Sequence, residues 1–186
     1  MTKRNDLLSR PLAVLLAALL LLGTVAPALA AGSTSSFEGD TIAIRTVDDL
    51  LELSRRCALD TWSQGKTVVL QANLSLLNVD FSPIPSFGGT FDGGGHIISG
   101  LSISSGDYPA GLFGIVQKDG KIKNLTVTGE VVPSGDANTV GGLVGINYGQ
   151  LDQCAFWGLV RGKDTVGGIA GLNDVSGQLV NCSFRG

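Results

Sequence analysis

Histidine is almost missing from this chain: His96 is the only one in 186 residues, beside one methionine, two tryptophans, two tyrosines and three cysteines. A zinc site built on histidines and the H-E-x-x-H helix of a metallopeptidase both need at least two histidines. The cysteines, Cys57, Cys154 and Cys182, contain no C-x-x-C pair. No metal or cofactor is therefore expected. Basic residues are also scarce, with 13 Lys and Arg against 16 Asp and Glu. Loss of residues 1–30 would remove Lys3, Arg4, Arg10 and Asp6, leaving 10 against 15 and a charge near −5. Nucleic acid is excluded as a natural partner on that balance. A phosphate-binding loop is missing too: Gly65-Lys66-Thr67 matches its end, but Asp60 stands where the motif needs glycine, and a strand pattern follows instead of a helix. Calcium-binding nonapeptides are absent, because Gly93-Gly94-Gly95 leads into His96 and Ile97.

What is present begins with a leader. Lys3, Arg4 and Arg10 precede an apolar run over residues 11–22, followed by Ala28-Leu29-Ala30, the pattern of a secretory signal peptide cut after Ala30. The first cysteine is Cys57, so no lipid-attachment cysteine sits at the cut. The expected location is extracellular, secreted or at the cell surface, with no membrane association after cleavage. Residues 31–45 read as a Ser-rich linker and entry strand, and residues 46–86 as an N-terminal cap. Within the cap, Thr46 as N-cap and Asp48 and Asp49 in the first turn predict an amphipathic helix over residues 47–59. Thr67-Val68-Val69-Leu70-Gln71-Ala72 predicts a strand.

Residues 87–186 repeat themselves. Gly120-Lys121-Ile122-Lys123-Asn124-Leu125-Thr126-Val127-Thr128-Gly129 aligns with the stretch from Gly149 to Gly158 and again with that from Gly177 to Gly186, at offsets of 29 and 28 residues. Val140-Gly141-Gly142-Leu143-Val144-Gly145-Ile146-Asn147 aligns with Val166-Gly167-Gly168-Ile169-Ala170-Gly171-Leu172-Asn173. An earlier copy, from Gly95 to Ile103, is one residue longer. Short strands with period-two alternation, set end to end around a coil, bury their inner faces only when coils stack. That stacking predicts inward ladders of Ile122, Leu151 and Leu179, and of Val127, Phe156 and Phe184, with Trp157 pointing outward. The fold class is all-β: a parallel β-helix with a short N-terminal capping helix.

The four-residue signatures Gly111-Leu112-Phe113-Gly114, Gly142-Leu143-Val144-Gly145 and Gly168-Ile169-Ala170-Gly171, with Asn147 and Asn173 after the last two, resemble the GLUG repeat of bacterial surface and secreted proteins. The stretch from Gly89 to Leu101 is similar to the entry segment that precedes such repeats. The resemblance implies a right-handed β-helix and an adhesin-like, cell-wall or S-layer context, or the non-catalytic front of an immunoglobulin-A peptidase. Its motif carries no catalytic residues.

Candidate chemistry is correspondingly thin. His96 with Asp92 could form an acid–base pair, yet the glycine triplet between them reads as a turn. A polysaccharide-cleaving solenoid would cluster acids on one face of adjacent coils; instead Asp164 aligns with Asn138, and Asp152 with Val180. Cys154 and Cys182 occupy equivalent places in consecutive coils and form either a disulfide or stacked thiols. Asn73, Asn124 and Asn181 head glycosylation-like triplets that repeat geometry also explains, and Trp62, Tyr108, Tyr148 and Trp157 are the aromatics that could stack on a sugar. Expected partners are host or cell-wall glycans or proteins and, because Gly186 ends on a strand without a polar cap, downstream domains of the same polypeptide. The function expected is that of a non-catalytic structural or adhesive module, with a carbohydrate-active enzyme as the alternative.

Overall fold

A computed structural model describes residues 37–104, 106 and 109–186. The expected leader, residues 31–36 of the linker and Tyr108 lie outside the described residues. In chain order the first turn holds β1 (Thr41–Ile44) and α1 (Val47–Arg56). The second holds β2 (Thr67–Leu70), β3 (Leu74–Ser75) and β4 (Ile84–Phe87), and the third β5 (Thr90–Asp92), β6 (Ile97–Ile103) and β7 (Phe113–Val116). The fourth contains β8 (Lys121–Lys123), β9 (Thr126–Val131), β10 (Thr139–Gly141) and β11 (Val144–Asn147). The fifth contains β12 (Gln150–Asp152), β13 (Ala155–Val160), β14 (Thr165–Gly167) and β15 (Ala170–Asn173), and β16 (Gln178–Val180) and β17 (Ser183–Arg185) complete the described chain.

Every strand pairing is parallel and joins one turn to the next. The sheets run β1-β2-β5-β8-β12-β16, β3-β6-β9-β13-β17, β4-β7-β11-β15 and β10-β14. The chain is thus a parallel β-solenoid. Its register carries both expected ladders and extends each of them: Ile42, Val68, Phe91, Ile122, Leu151 and Leu179 stand one above another. The first five are fully buried, and each buried side chain contributes about 2 kcal/mol. A second column runs Leu74, Ile98, Val127, Phe156 and Phe184. Phe87 of the second turn meets Phe91 and Phe113 of the third at 5.4–6.3 Å between ring centroids, tilted or edge-on as aromatic quadrupoles prefer.

The helix forms where its cap demands. Thr46 accepts from the Asp49 backbone N–H while the Asp49 carboxylate accepts from the Thr46 N–H, a complete capping box. Leu50 and Leu53 are buried against β1 and β4, edge strands at the N-terminal end of their sheets. The helix stops at Arg56, three residues short of the expected end, and Cys57 caps it. Leu59 is 69% exposed, so nothing apolar holds a further turn in place, and the chain leaves through tight turns instead.

The one-residue-longer early copy has a structural cause. Pairing of β6 with β9 slips by one residue between Ile98 and Leu101, and Gly100, at φ 71°, takes up the extra residue as a bulge. The corner between the first two sheets is set by Asn124, Gln153 and Asn181, register equivalents with φ of 52–53°. Asn tolerates this left-handed conformation better than Gln does. Gln153→Asn is therefore expected to raise stability by roughly 0.5 kcal/mol in urea unfolding. Gly158→Ala is expected to lower it by about 3 kcal/mol, because φ is +148° there and the added Cβ would run into the Gly129 carbonyl oxygen.

Candidate functional site

The acid and the base offered by the sequence do not meet. Asp92 Oδ1 accepts from the Gly94 N–H at 2.9 Å and from Asn124 Nδ2 at 3.0 Å, and Oδ2 pairs with Lys123 Nζ at 3.0 Å. Burial pushes this carboxyl up, but the Gly94 N–H, the Asn124 amide and Lys123 together outweigh it and hold the group below the usual aspartate value. His96 turns the other way, with Nδ1 3.3 Å from Asn73 Oδ1. The same Asn73 oxygen accepts from the Ile97 N–H at 2.9 Å. Farther along the stack the Asp92 contact recurs as Asn181 Nδ2 donating to Asp152 Oδ1 at 3.4 Å. The three glycosylation-like asparagines are thus all bonded to neighbouring turns.

The repeat-defining glycines lie where turns press together. Gly114, Gly145 and Gly171 share one level of the β7-β11-β15 sheet, and a Cβ on Gly114 would lie 2.8 Å from the Pro85 carbonyl oxygen. A Cβ on Gly111 would lie 2.9 Å from the Leu143 carbonyl oxygen. Gly142 and Gly168 leave room for the rings of Phe156 and Phe184. Asn147, fully buried, donates from Nδ2 to Asn173 Oδ1 at 2.8 Å in the next turn, and its own Oδ1 accepts from the Gly149 N–H at 3.1 Å. Asn173 in turn donates to the Gly177 carbonyl at 2.9 Å. These two amides form a short polar ladder inside the corner.

Cys154 and Cys182 stand in consecutive turns as free thiols, the first buried and the second half-buried. Hydrogen bonding between them, followed by burial, raises the Cys154 thiol; the same bond outweighs burial at Cys182 and brings it down to about 7. Cys57 is buried under the helix, where desolvation pushes its thiol up to about 12 despite a hydrogen bond with Ser63.

Three surfaces remain open. A cavity of about 380 Å³ is lined by Pro83, Pro85, Pro109, Ala110, Ile115 and Asp60. Beside it lies a shallower groove containing Gln64, Gln117, Lys118 and Tyr148. Gln117 ties the two together, donating to the Asp60 carbonyl at 2.6 Å and to Ser86 Oγ at 2.8 Å while accepting from Gln64 Nε2 at 2.9 Å. Sequence reasoning missed this groove, since Gln117 meets Gln64 and Asp60 across 53 and 57 positions, a spacing that the repeat does not mark. The second surface is the outer face of β13, where Trp157 and Leu159 are 47% and 38% exposed. Tyr148 lies in the groove and Trp62 packs beneath Arg56 and Lys66 near Phe37, so these aromatics form no common sugar platform with Trp157. The third surface is the end of the stack formed by β15, β16 and β17, where Leu172, Leu179, Val180 and Phe184 are 38–47% exposed. Among the described residues, no three His, Cys, Asp or Glu side chains converge as a metal cluster would require.

No family model matches the chain. Over 142 residues it is 39% identical to halomucin of Haloquadratum walsbyi, covering 67% of this chain and 2% of that protein. Over 70 residues it is 39% identical to a candidate Gly-rich membrane protein of Evansella cellulosilytica, covering 36% of this chain and 8% of that protein. The chain therefore spans only a small fraction of the length of either relative. In three dimensions it is similar to the crystal structure of a candidate immunoglobulin A1 protease from Bacteroides ovatus, with a TM-score of 0.54 and 20% identity over 76% of this chain and 56% of that one. At that identity the likeness is one of fold. No described helix is long and apolar enough to cross a membrane.

Asp92→Ala is expected to cost about 1–2 kcal/mol at neutral pH, since it strips two hydrogen bonds and an ion pair from a partly buried corner. Because the folded carboxyl is held low, its contribution is complete above the unfolded value near 3.8 and is lost as pH falls through the lower folded value. The gap between wild type and variant in urea midpoint should accordingly narrow between pH 5 and pH 2.

Proposed function

We propose that the chain is a non-catalytic, extracellular β-solenoid module of a surface or secreted protein, structural or adhesive in role, with repeats of the GLUG type. The regular in-register stack carries this reading: ladders, glycines and amide bonds all serve turn-on-turn packing, and Asp92 pairs with Lys123 of the next turn. Halomucin and the Gly-rich membrane protein, much longer proteins named for surface settings, support a surface location and a modular part. The solenoid neighbour named for a protease is compatible with the same role, that of a rigid front section ahead of other domains. The leader predicted for residues 1–30 would deliver the module outside the cell, where glycans or proteins of a cell wall or host are the partners in reach.

On this reading the exposed apolar end formed by β15, β16 and β17 is a face on which a turn of the same kind can stack. In a solenoid each added turn contributes its own stability plus one interface. The direct test appends a copy of residues 159–186 after Gly186, which continues the register because Gly186 is equivalent to Gly158. The extended chain is expected to unfold at higher urea concentration, with a steeper slope. An unchanged midpoint would refute the stacking face. Release of products from cell-wall polysaccharides or peptide substrates by the purified chain, abolished by Asp92→Asn, would refute the non-catalytic reading.

A further inference from the structure

The thiols of Cys154 and Cys182 lie at one level of the stack with no counterpart below, where Leu125 occupies the equivalent position. Their strands run in strict register just beyond them, Ala155 against Ser183, and the Ser183 N–H donates to the Cys154 carbonyl at 2.9 Å. Register neighbours on adjacent parallel strands lie about 4.8 Å apart at Cα, inside the window that a disulfide spans. Each sulfur also sits near backbone carbonyls: Cys154 Sγ is 3.4 Å from the Asp152 oxygen, and Cys182 Sγ is 3.3 Å from that of Val180. Only Cys182 is open to an incoming reagent.

We propose that Cys154 and Cys182 are an oxidisable pair that closes into a disulfide between consecutive turns when the protein meets a small-molecule disulfide. The Cys182 thiolate attacks one sulfur of the reagent; that S–S bond breaks, a mixed disulfide forms on Cys182, and the departing thiolate takes a proton. Cys154 then gives up its proton and attacks the Cys182 sulfur, releasing the second reagent thiol. In sum, two protein thiols and one disulfide become one protein disulfide and two small thiols. The depressed titration of Cys182 favours it as the attacking group, and the raised titration of Cys154 fits a resolving thiol that acts only once its neighbour is activated. Cys57, buried beneath the helix, is the built-in unreactive control.

The test treats the reduced, native 186-residue chain with hydroxyethyl disulfide near pH 8, quenches with acid, then unfolds, alkylates and maps it. The expected result is loss of two alkylatable thiols with no retained adduct, a tryptic fragment linking residues 124–161 to residues 164–185, and an intact Cys57. Cys154→Ser should stop at the mixed disulfide on Cys182. Should that buried variant fail to fold, the wild-type map decides alone. A wild-type product carrying a stable adduct on Cys182, or one in which all three thiols remain alkylatable, would overturn the proposal.

Discussion

An inward side chain on a solenoid strand can leave water only by lying against the equivalent side chain of the turn before and the turn after. All else in this molecule follows from that constraint. From Val68 to Leu151 each member of the column is fully buried between a neighbour above and one below, and Ile42 at the first strand is buried between Val68 and the helix side of the stack, whereas Leu179, with a neighbour on one side and no such cover, is 41% exposed. The same holds for Phe156 and Phe184, whose rings stack 6.3 Å apart at 9° with only the first fully buried. Burial in this fold is thus a property of a turn's neighbours, and the glycines and tight corners are the means by which turns come close enough to supply it.

The two ends of the stack meet this constraint differently. Near β1 the helix covers the apolar interior, with Leu50, Leu53 and Cys57 all fully buried. Its attachment is polar as well as apolar, for Ser54 Oγ donates to the Ser82 carbonyl at 3.0 Å. The far end carries no such cover among the described residues. The described stack therefore has a direction: one end closed by a helix, the other presenting strand edges and apolar side chains.

Much of this could be read in the sequence because the fold is periodic. The offset of 29 residues placed Ile122 under Leu151 and Val127 under Phe156, and the extra residue noted in the early copy is the one that the bulge at Gly100 takes up. What stayed hidden was whatever repetition does not encode. The helix ended at Arg56 because tertiary burial, not local propensity, decides the last turn. At two residues β3 is too short to announce itself, and β4 is masked by Pro83 and Pro85. Contacts of Gln117 with Asp60 and Gln64 join the cap to the third turn across more than fifty residues, and no local pattern marks them. The choice of Asp92 for a structural corner, in place of partnership with His96, depended on where Lys123 and Asn124 would lie one turn later.

The amide ladder gives the stack something its hydrophobic columns cannot. Leucine over isoleucine or phenylalanine is tolerant: any turn of similar volume would satisfy it. Asn147 is different, since its neighbour on one side is Val116 and on the other Asn173. Of these two side chains only Asn173 can accept from the Asn147 amide, at 2.8 Å against 3.3 and 3.4 Å to the Gly149 and Gln178 carbonyls, and a turn carrying valine there would forfeit about 1 kcal/mol. Outwardly similar turns are therefore not interchangeable. Buried Asn147 and its partner Asn173 act as an address within the stack, marking which turn belongs next to which.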